Sequence, residues 1–134
     1  MHPLYTKAHE LSFKVIGAAI EVHRHKGPGL LESIYERCLM RELELLNISA
    51  TSQLSVEVEY KGLVFDTPLK LDVFVDSCLI VENKVIEQIL PVHKAQLLSY
   101  MKLLNAPLGL LINYHEPVFK NGICRLILDG AERS

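Results

Sequence analysis

Two acidic residues and one lysine lie close together in the middle of the chain, within stretches rich in aliphatic residues. Asp72 lies in residues 69–75, and Glu82 and Lys84 lie in residues 79–85. Both stretches have the composition of β-strands, in which alternate side chains point to opposite faces. Glu82 and Lys84 therefore share one face of their strand. Two carboxylates and an ammonium group on neighbouring strands are a set that can bind a divalent metal ion and activate water.

The connection between the two strands decides whether the carboxylates meet. A break at residues 76 and 77 predicts a hairpin. Paired positions in an antiparallel ladder have a constant sum, so pairing Val75 with Leu79 places Asp72 opposite Glu82. A two-residue turn without a bulge would instead send the carboxylates to opposite faces.

The chemistry of this set favours a hard cation. Adjacent carboxylates repel each other, and a divalent cation removes that cost. No cysteine or histidine stands beside them at ligand spacing, which favours Mg²⁺ or Mn²⁺ over zinc. Lys84 would then hold the attacking water or offset charge on a phosphoryl oxygen. The alternative is an ordinary solvated strand face, because an E-x-K spacing is common by chance.

The surrounding pattern predicts two helices, three strands, a third helix and two further strands, in that order. Hydrophobic periodicity and turn residues favour an α/β (α+β) fold whose first three strands form an antiparallel meander. A Gly-Pro-Gly turn at residues 27–29 separates the first two helices, and Pro91 suits the first turn of the third. We predict helices at 4–25, 30–46 and 91–104, and strands at 53–60, 69–75, 79–85, 108–113 and 123–128.

Size and composition restrict the class of protein. The 134 residues, with no linker or repeat, predict one domain spanning residues 1–134. The net charge of -2 excludes a uniformly basic nucleic-acid coat protein. Three widely spaced cysteines indicate reduced thiols, and no stretch has the length of a membrane span, so we expect a cytoplasmic protein without a membrane partner.

Further motifs resemble those of a known family. Gly29, Glu32 and Tyr35 form a G-x-x-E-x-x-Y motif, and stretches 19–23, 71–75, 81–84 and 90–100 follow in the same order as in that family. The sequence is similar over about residues 9–128 to the small prokaryotic GxxExxY proteins of the PD-(D/E)XK nuclease superfamily.

The resemblance implies a restriction-endonuclease-like core and metal-dependent hydrolysis of phosphodiester bonds. Asp72 and Glu82 match the acidic metal ligands, and Lys84 matches the lysine of the E-x-K element. Glu32 matches a first-helix acid that often completes the metal site. Many members also carry a Q-x-x-x-Y pair, which Gln96 and Tyr100 reproduce one helical turn apart, at the rim of the site. The implied partner is nucleic acid, with DNA favoured over RNA, and a homodimer would enlarge the binding surface.

Several residues keep two interpretations. Glu32 either stabilises the helix N-terminus or contacts the metal. The basic residues 23–26 suit a helix C-terminus, with phosphate contact as the alternative. Asn83 departs from the family, since relatives have an aliphatic residue there, and a buried amide needs hydrogen-bond partners. The alternative to a nuclease is therefore a non-catalytic nucleic-acid or protein interaction module that retains the fold.

Overall fold

The computed structural model describes residues 1–134 and forms three helices and seven strands. None of the helices combines the length and the apolar character needed to cross a membrane. In chain order the elements are α1 (Tyr5–Lys26), α2 (Glu32–Leu45), β1 (Ala50–Val56), β2 (Glu59–Tyr60), β3 (Leu63–Val64), β4 (Leu69–Val75), β5 (Leu79–Lys84), α3 (Pro91–Leu104), β6 (Leu108–Asn113) and β7 (Ile123–Ile127), with a 3-10 turn at Phe119–Gly122 before β7.

Five of the strands form one mixed sheet in the order β1-β4-β5-β6-β7. Strands β1, β4 and β5 are the expected antiparallel meander, and β7 pairs antiparallel with β6. Only β5 and β6 are parallel, because α3 carries the chain back across the sheet between them. The predicted α/β class is confirmed, and the arrangement is consistent with a restriction-endonuclease-like core.

The helices cover both faces of the sheet and create two hydrophobic layers. Helices α1 and α2 pack on one face, and α3 packs on the other. The first layer includes Val15, Leu39, Val73, Val81 and Leu110. The second layer includes Leu71, Ile80, Leu97, Met101 and Leu111.

The bounds predicted for the strand at residues 53–60 are wrong. Strand β1 begins earlier and ends at Val56, while Glu59 and Tyr60 pair with β3 in a separate two-stranded ribbon. Alternation of apolar and polar residues continues through both segments, so the pattern alone does not reveal where the pairing partner changes. A turn at Lys61 and Gly62 closes this ribbon, with positive φ angles at both positions.

The β4–β5 hairpin has the predicted register, but one face assignment is wrong. Val75 pairs with Leu79, as expected. Alternation along β4 predicts that Leu71 shares a face with Val73 and Val75, yet it belongs to the layer beneath α3, whereas Val73 and Val75 belong to the opposite layer. The alternation breaks where Gln53 of β1, opposite Asp72 in the register, adopts a φ of 52°.

Candidate metal site

The hairpin brings Asp72 and Glu82 together at the point where its backbone ladder ends. The ladder runs from Val75 and Leu79 to Val73 and Val81, and the next pair in this register is Asp72 and Glu82. At this pair, side chains replace the backbone partners. The amide of Asp72 donates to Glu82 Oε2 at 2.9 Å, and the amide of Asn83 donates to Asp72 Oδ2 at 2.8 Å. Each carboxylate is thus fixed by the backbone of the opposite strand.

Burial makes this pair of carboxylates electrostatically unfavourable. The Glu82 side chain is only 4% exposed. Its burial, together with the nearby Asp72 charge, raises the pKa of Glu82 from 4.5 to about 7. Burial also raises the pKa of Asp72, although the hydrogen bond from Asn83 and the Lys84 charge act in the opposite direction. The pair therefore holds negative charge less readily than exposed acids do.

Lys84 stands at the end of β5, on the same face as Glu82. Its positive charge partly offsets the rise in the pKa values of Asp72, Glu82 and Glu32. It forms no direct salt bridge with any of them. The strand end is held in place because the amide of Tyr114 donates to the Lys84 carbonyl at 2.9 Å.

Glu32 reaches the same centre from the first turn of α2. The residue at the helix N-cap, Leu31, makes no side-chain capping bond. Glu32 is exposed overall, but the surrounding protein removes part of the water around its carboxylate. This desolvation and the Asp72 charge raise the pKa of Glu32. A carboxylate that served only the positive helix end would have its charged form favoured. The electrostatics thus relate Glu32 to the acidic pair.

Tyr35 explains the third position of the G-x-x-E-x-x-Y motif. Its hydroxyl donates to the Gly27 carbonyl and accepts a hydrogen bond from the Leu30 amide at 3.1 Å. Gly27 and Gly29 have φ angles of 63° and 108°, which a residue with a Cβ adopts only with strain. The buried tyrosine therefore fixes the turn that precedes α2 and, with it, the position of Glu32.

Two residues that the sequence did not single out complete the acidic centre. Glu36 follows Glu32 by one helical turn and is 9% exposed. The Gln53 side chain donates to both Glu36 oxygens, at 2.9 and 3.1 Å, and lowers the pKa of Asp72. Burial raises the pKa of Glu36, and Asp72 and Glu32 add to that effect. The i, i+4 spacing of the two glutamates was the one signal available in the sequence.

Helix α3 brings Tyr100 to the other side of the acidic pair. Tyr100 is 8% exposed and packs in the layer beneath α3. Burial raises the pKa of Tyr100, and the charges of Glu82 and Asp72 raise it further, while the Gln96 side chain acts in the opposite direction. Gln96 itself is exposed. The electrostatics thus relate Tyr100 to the carboxylates, whereas the position of Gln96 at the rim of the site stays a prediction.

Alternation along β5 places the Asn83 side chain on the same face as Val81, which belongs to the layer beneath α1 and α2. Its side chain is fully buried, and neither its amide nitrogen nor its amide oxygen has a hydrogen-bond partner. The buried amide side chain therefore lacks the hydrogen-bond partners that it needs. The backbone amide of Asn83 nevertheless donates to Asp72 Oδ2. The side chain weakens the core, while the backbone supports the site.

The donor set suits a hard divalent cation. Four carboxylates from three elements lie in this region. Burial raises the pKa of each, and neighbouring carboxylate charges add to the effect for Glu32, Glu36 and Glu82. A cation would remove that repulsion, and carboxylate oxygens are the ligands that Mg²⁺ and Mn²⁺ prefer. No group of three or more histidine, cysteine, aspartate or glutamate side chains converges closely enough to enclose an ion in the structure. Asp72 and Glu82 are the pair around which such a set would form.

Most of the chain matches a known protein family. Residues 9–126 match the family model described as the PD-(D/E)XK nuclease superfamily. No curated protein and no solved structure matches the chain significantly. The family match includes α2, the whole β4–β5 hairpin and α3, which carry the site described above. The protein therefore belongs to the PD-(D/E)XK nuclease superfamily.

Proposed function

We propose that this protein is a Mg²⁺- or Mn²⁺-dependent nuclease that hydrolyses phosphodiester bonds of nucleic acid, with DNA favoured over RNA. Asp72 and Glu82 hold the metal ion, and Glu32 contributes from α2. Lys84 activates the attacking water. Gln96 and Tyr100 line the rim on the α3 side.

The observation that carries this proposal is the buried Asp72–Glu82 pair. Each carboxylate accepts a backbone N–H through one oxygen, which holds the side chain in a defined orientation. Burial of two like charges destabilises a fold unless a positive charge compensates them. The nearby Lys84 provides part of this compensation without neutralising either acid directly. A divalent cation would provide the rest.

The side chains have distinct tasks in this reaction. A bound divalent cation supplies positive charge that stabilises the phosphoryl oxygens as negative charge develops. Lys84 donates hydrogen bonds to the incoming water, or to a phosphoryl oxygen, and so orients the reacting groups. Tyr100 and the layer beneath α3 exclude bulk water from one side of the carboxylates, which strengthens the electrostatic interactions there.

Several finer assignments belong to the same proposal. The G-x-x-E-x-x-Y motif and its structural role at Tyr35 support membership of the GxxExxY group. Residues 1–134 would act as one nuclease-like domain in the cytoplasm, where the three cysteines stay reduced. A homodimer would supply a longer surface for a duplex.

A cleavage assay tests the function directly. Plasmid, single-stranded DNA and RNA are incubated with the protein at several Mg²⁺ and Mn²⁺ concentrations, beside Glu82→Ala and Lys84→Ala. Lys102→Ala is the matched control, because Lys102 is exposed on α3 outside the site. We expect cleavage by the wild type and the control only. Equal cleavage by Glu82→Ala, or none by any protein, would contradict the proposal.

One observation favours a second candidate function, a non-catalytic interaction module. The acidic side chains do not converge into a set that encloses a metal ion. A protein that retained the fold without its chemistry would bind nucleic acid or a protein partner but would show no metal-dependent cleavage. Nucleic-acid binding that Mg²⁺ and Mn²⁺ leave unchanged, together with no hydrolysis, would decide for the module.

A further inference from the structure

A groove between the C-terminal end of α1 and the side of α2 carries a local excess of positive charge. The cavity measures about 560 Å³. Its basic side chains are His25, Lys26, Arg37 and Arg41, and Glu42 is its one acidic residue. The whole chain has a net charge of -2, so this excess is a local feature and not a general property of the surface.

Helix-end stabilisation accounts for only part of this charge. His25 and Lys26 lie in the last turn of α1, where cations stabilise a helix. Arg37 and Arg41 lie in α2 before its last turn, which contains no basic residue. His25 contacts Glu21, and Arg41 contacts Glu44. Lys26 and Arg37 have no salt-bridge partner. Lys26 and Arg37 are therefore available to a ligand, and Arg41 gives up only a weak, solvent-exposed contact when it binds one.

The groove is continuous with the acidic centre through α2. Arg37 and Arg41 also border a second cavity of about 530 Å³, which Glu36 and Ser52 line on the side of β1. Glu36 is linked to the acidic centre through Gln53, which donates to both Glu36 oxygens and lies opposite Asp72 in the register of β1 and β4. Because Arg37 and Arg41 line both cavities, the groove and the second cavity adjoin along α2.

We propose that the α1–α2 groove binds the phosphate backbone of the nucleic-acid substrate on its way to the acidic centre. The inference rests on the proposed function, because it assigns the path of that substrate. Arg37 and Arg41 donate paired hydrogen bonds to phosphate oxygens, and Lys26 adds a point charge at the far end. Positive charge beside the carboxylates also offsets their repulsion of the substrate.

Binding and cleavage measurements test the groove separately from the chemistry. Fluorescence anisotropy of a labelled DNA duplex in EDTA reports binding without hydrolysis, over a series of salt concentrations. The test variant is Arg37→Gln with Arg41→Gln, which keeps most of each side-chain stem in place. The control is Lys14→Gln with Lys102→Gln, which removes the same charge from exposed sites outside the groove.

We expect the arginine variant to bind about tenfold more weakly at low salt, with a salt slope reduced by about 0.9 for each phosphate group that the protein no longer neutralises. In the cleavage assay, KM should rise while kcat stays close to that of the wild type. Groove-dependent binding without cleavage by any protein would support this inference and refute the nuclease. Cleavage with binding and KM equal in the two double variants would overturn the inference and leave the nuclease. A wild type that binds no duplex and whose KM the variant leaves unchanged would also overturn it.

Discussion

Replacing Glu82 with glutamine should stabilise the metal-free protein at neutral and alkaline pH. The pKa of Glu82 rises from 4.5 to about 7 because the side chain is buried beside Asp72. The folded state therefore binds a proton more tightly than the unfolded state does. Below pH 4.5 the acid is protonated in both states and costs nothing, and the cost grows as pH rises toward 7.

The size of the effect follows from the same two values. Each pH unit between them corresponds to about 1.4 kcal/mol, so ionising Glu82 in the fold costs about 3 kcal/mol above pH 7. Glutamine has nearly the same shape, keeps an oxygen for the Asp72 amide and carries no charge. Glu82→Gln should therefore exceed the wild type by about 3 kcal/mol in free energy of unfolding at pH 8, and by little at pH 5.

Urea denaturation in EDTA from pH 5 to pH 9 measures this difference. Subtracting the two curves cancels the groups that both proteins share. Glu10→Gln, an exposed position on α1, serves as the control and should follow the wild type. Excess Mn²⁺ should stabilise the wild type and abolish the advantage of the variant, because a bound cation compensates the charge. A Glu82→Gln curve that runs parallel to the wild type across this range would refute the electrostatic argument.

Three shorter predictions concern other residues. Lys84→Ala should bind Mn²⁺ at least as well as the wild type in calorimetry yet lose most hydrolysis, whereas Asp72→Ala should lose both; the reverse pattern of metal binding would show that the roles are assigned wrongly. Tyr35→Phe removes two hydrogen bonds at the turn before α2 and should lower the free energy of unfolding by about 1–3 kcal/mol, which chemical denaturation measures; an unchanged midpoint would show that the turn forms without them. Asn83→Val replaces a buried amide without partners and should raise stability by about 1–3 kcal/mol; a loss of stability in the same assay would mean that the amide is satisfied.

The hairpin that carries the site was predictable because its constraints are local. The pairing of Val75 with Leu79 determines the partner of every other position in the ladder. The same rule correctly placed Asp72 next to Glu82. The α/β class of the fold also follows from the order of strand and helix patterns.

The rest of the site depends on features that no local pattern contains. Gln53 adopts a positive φ although it is neither glycine nor asparagine, and beside it in the sheet Leu71 lies in the layer beneath α3. Glu36 becomes part of the acidic centre only because α2 crosses the sheet beside Gln53. The basic groove likewise combines residues from two helices, and its charge is invisible in the near-neutral total.

The break in alternation along β4 has a mechanical consequence. The strand gives Leu71 to the layer beneath α3 and Val73 to the layer beneath α1 and α2, so one segment of backbone is anchored on both sides of the sheet. A change in the packing of one layer therefore shifts backbone that also packs in the other layer. Asp72 occupies the position between the two anchors, with its amide held by Glu82. The carboxylate at the centre of the site therefore sits where the chain has little freedom to move, and its orientation is set before any ligand arrives.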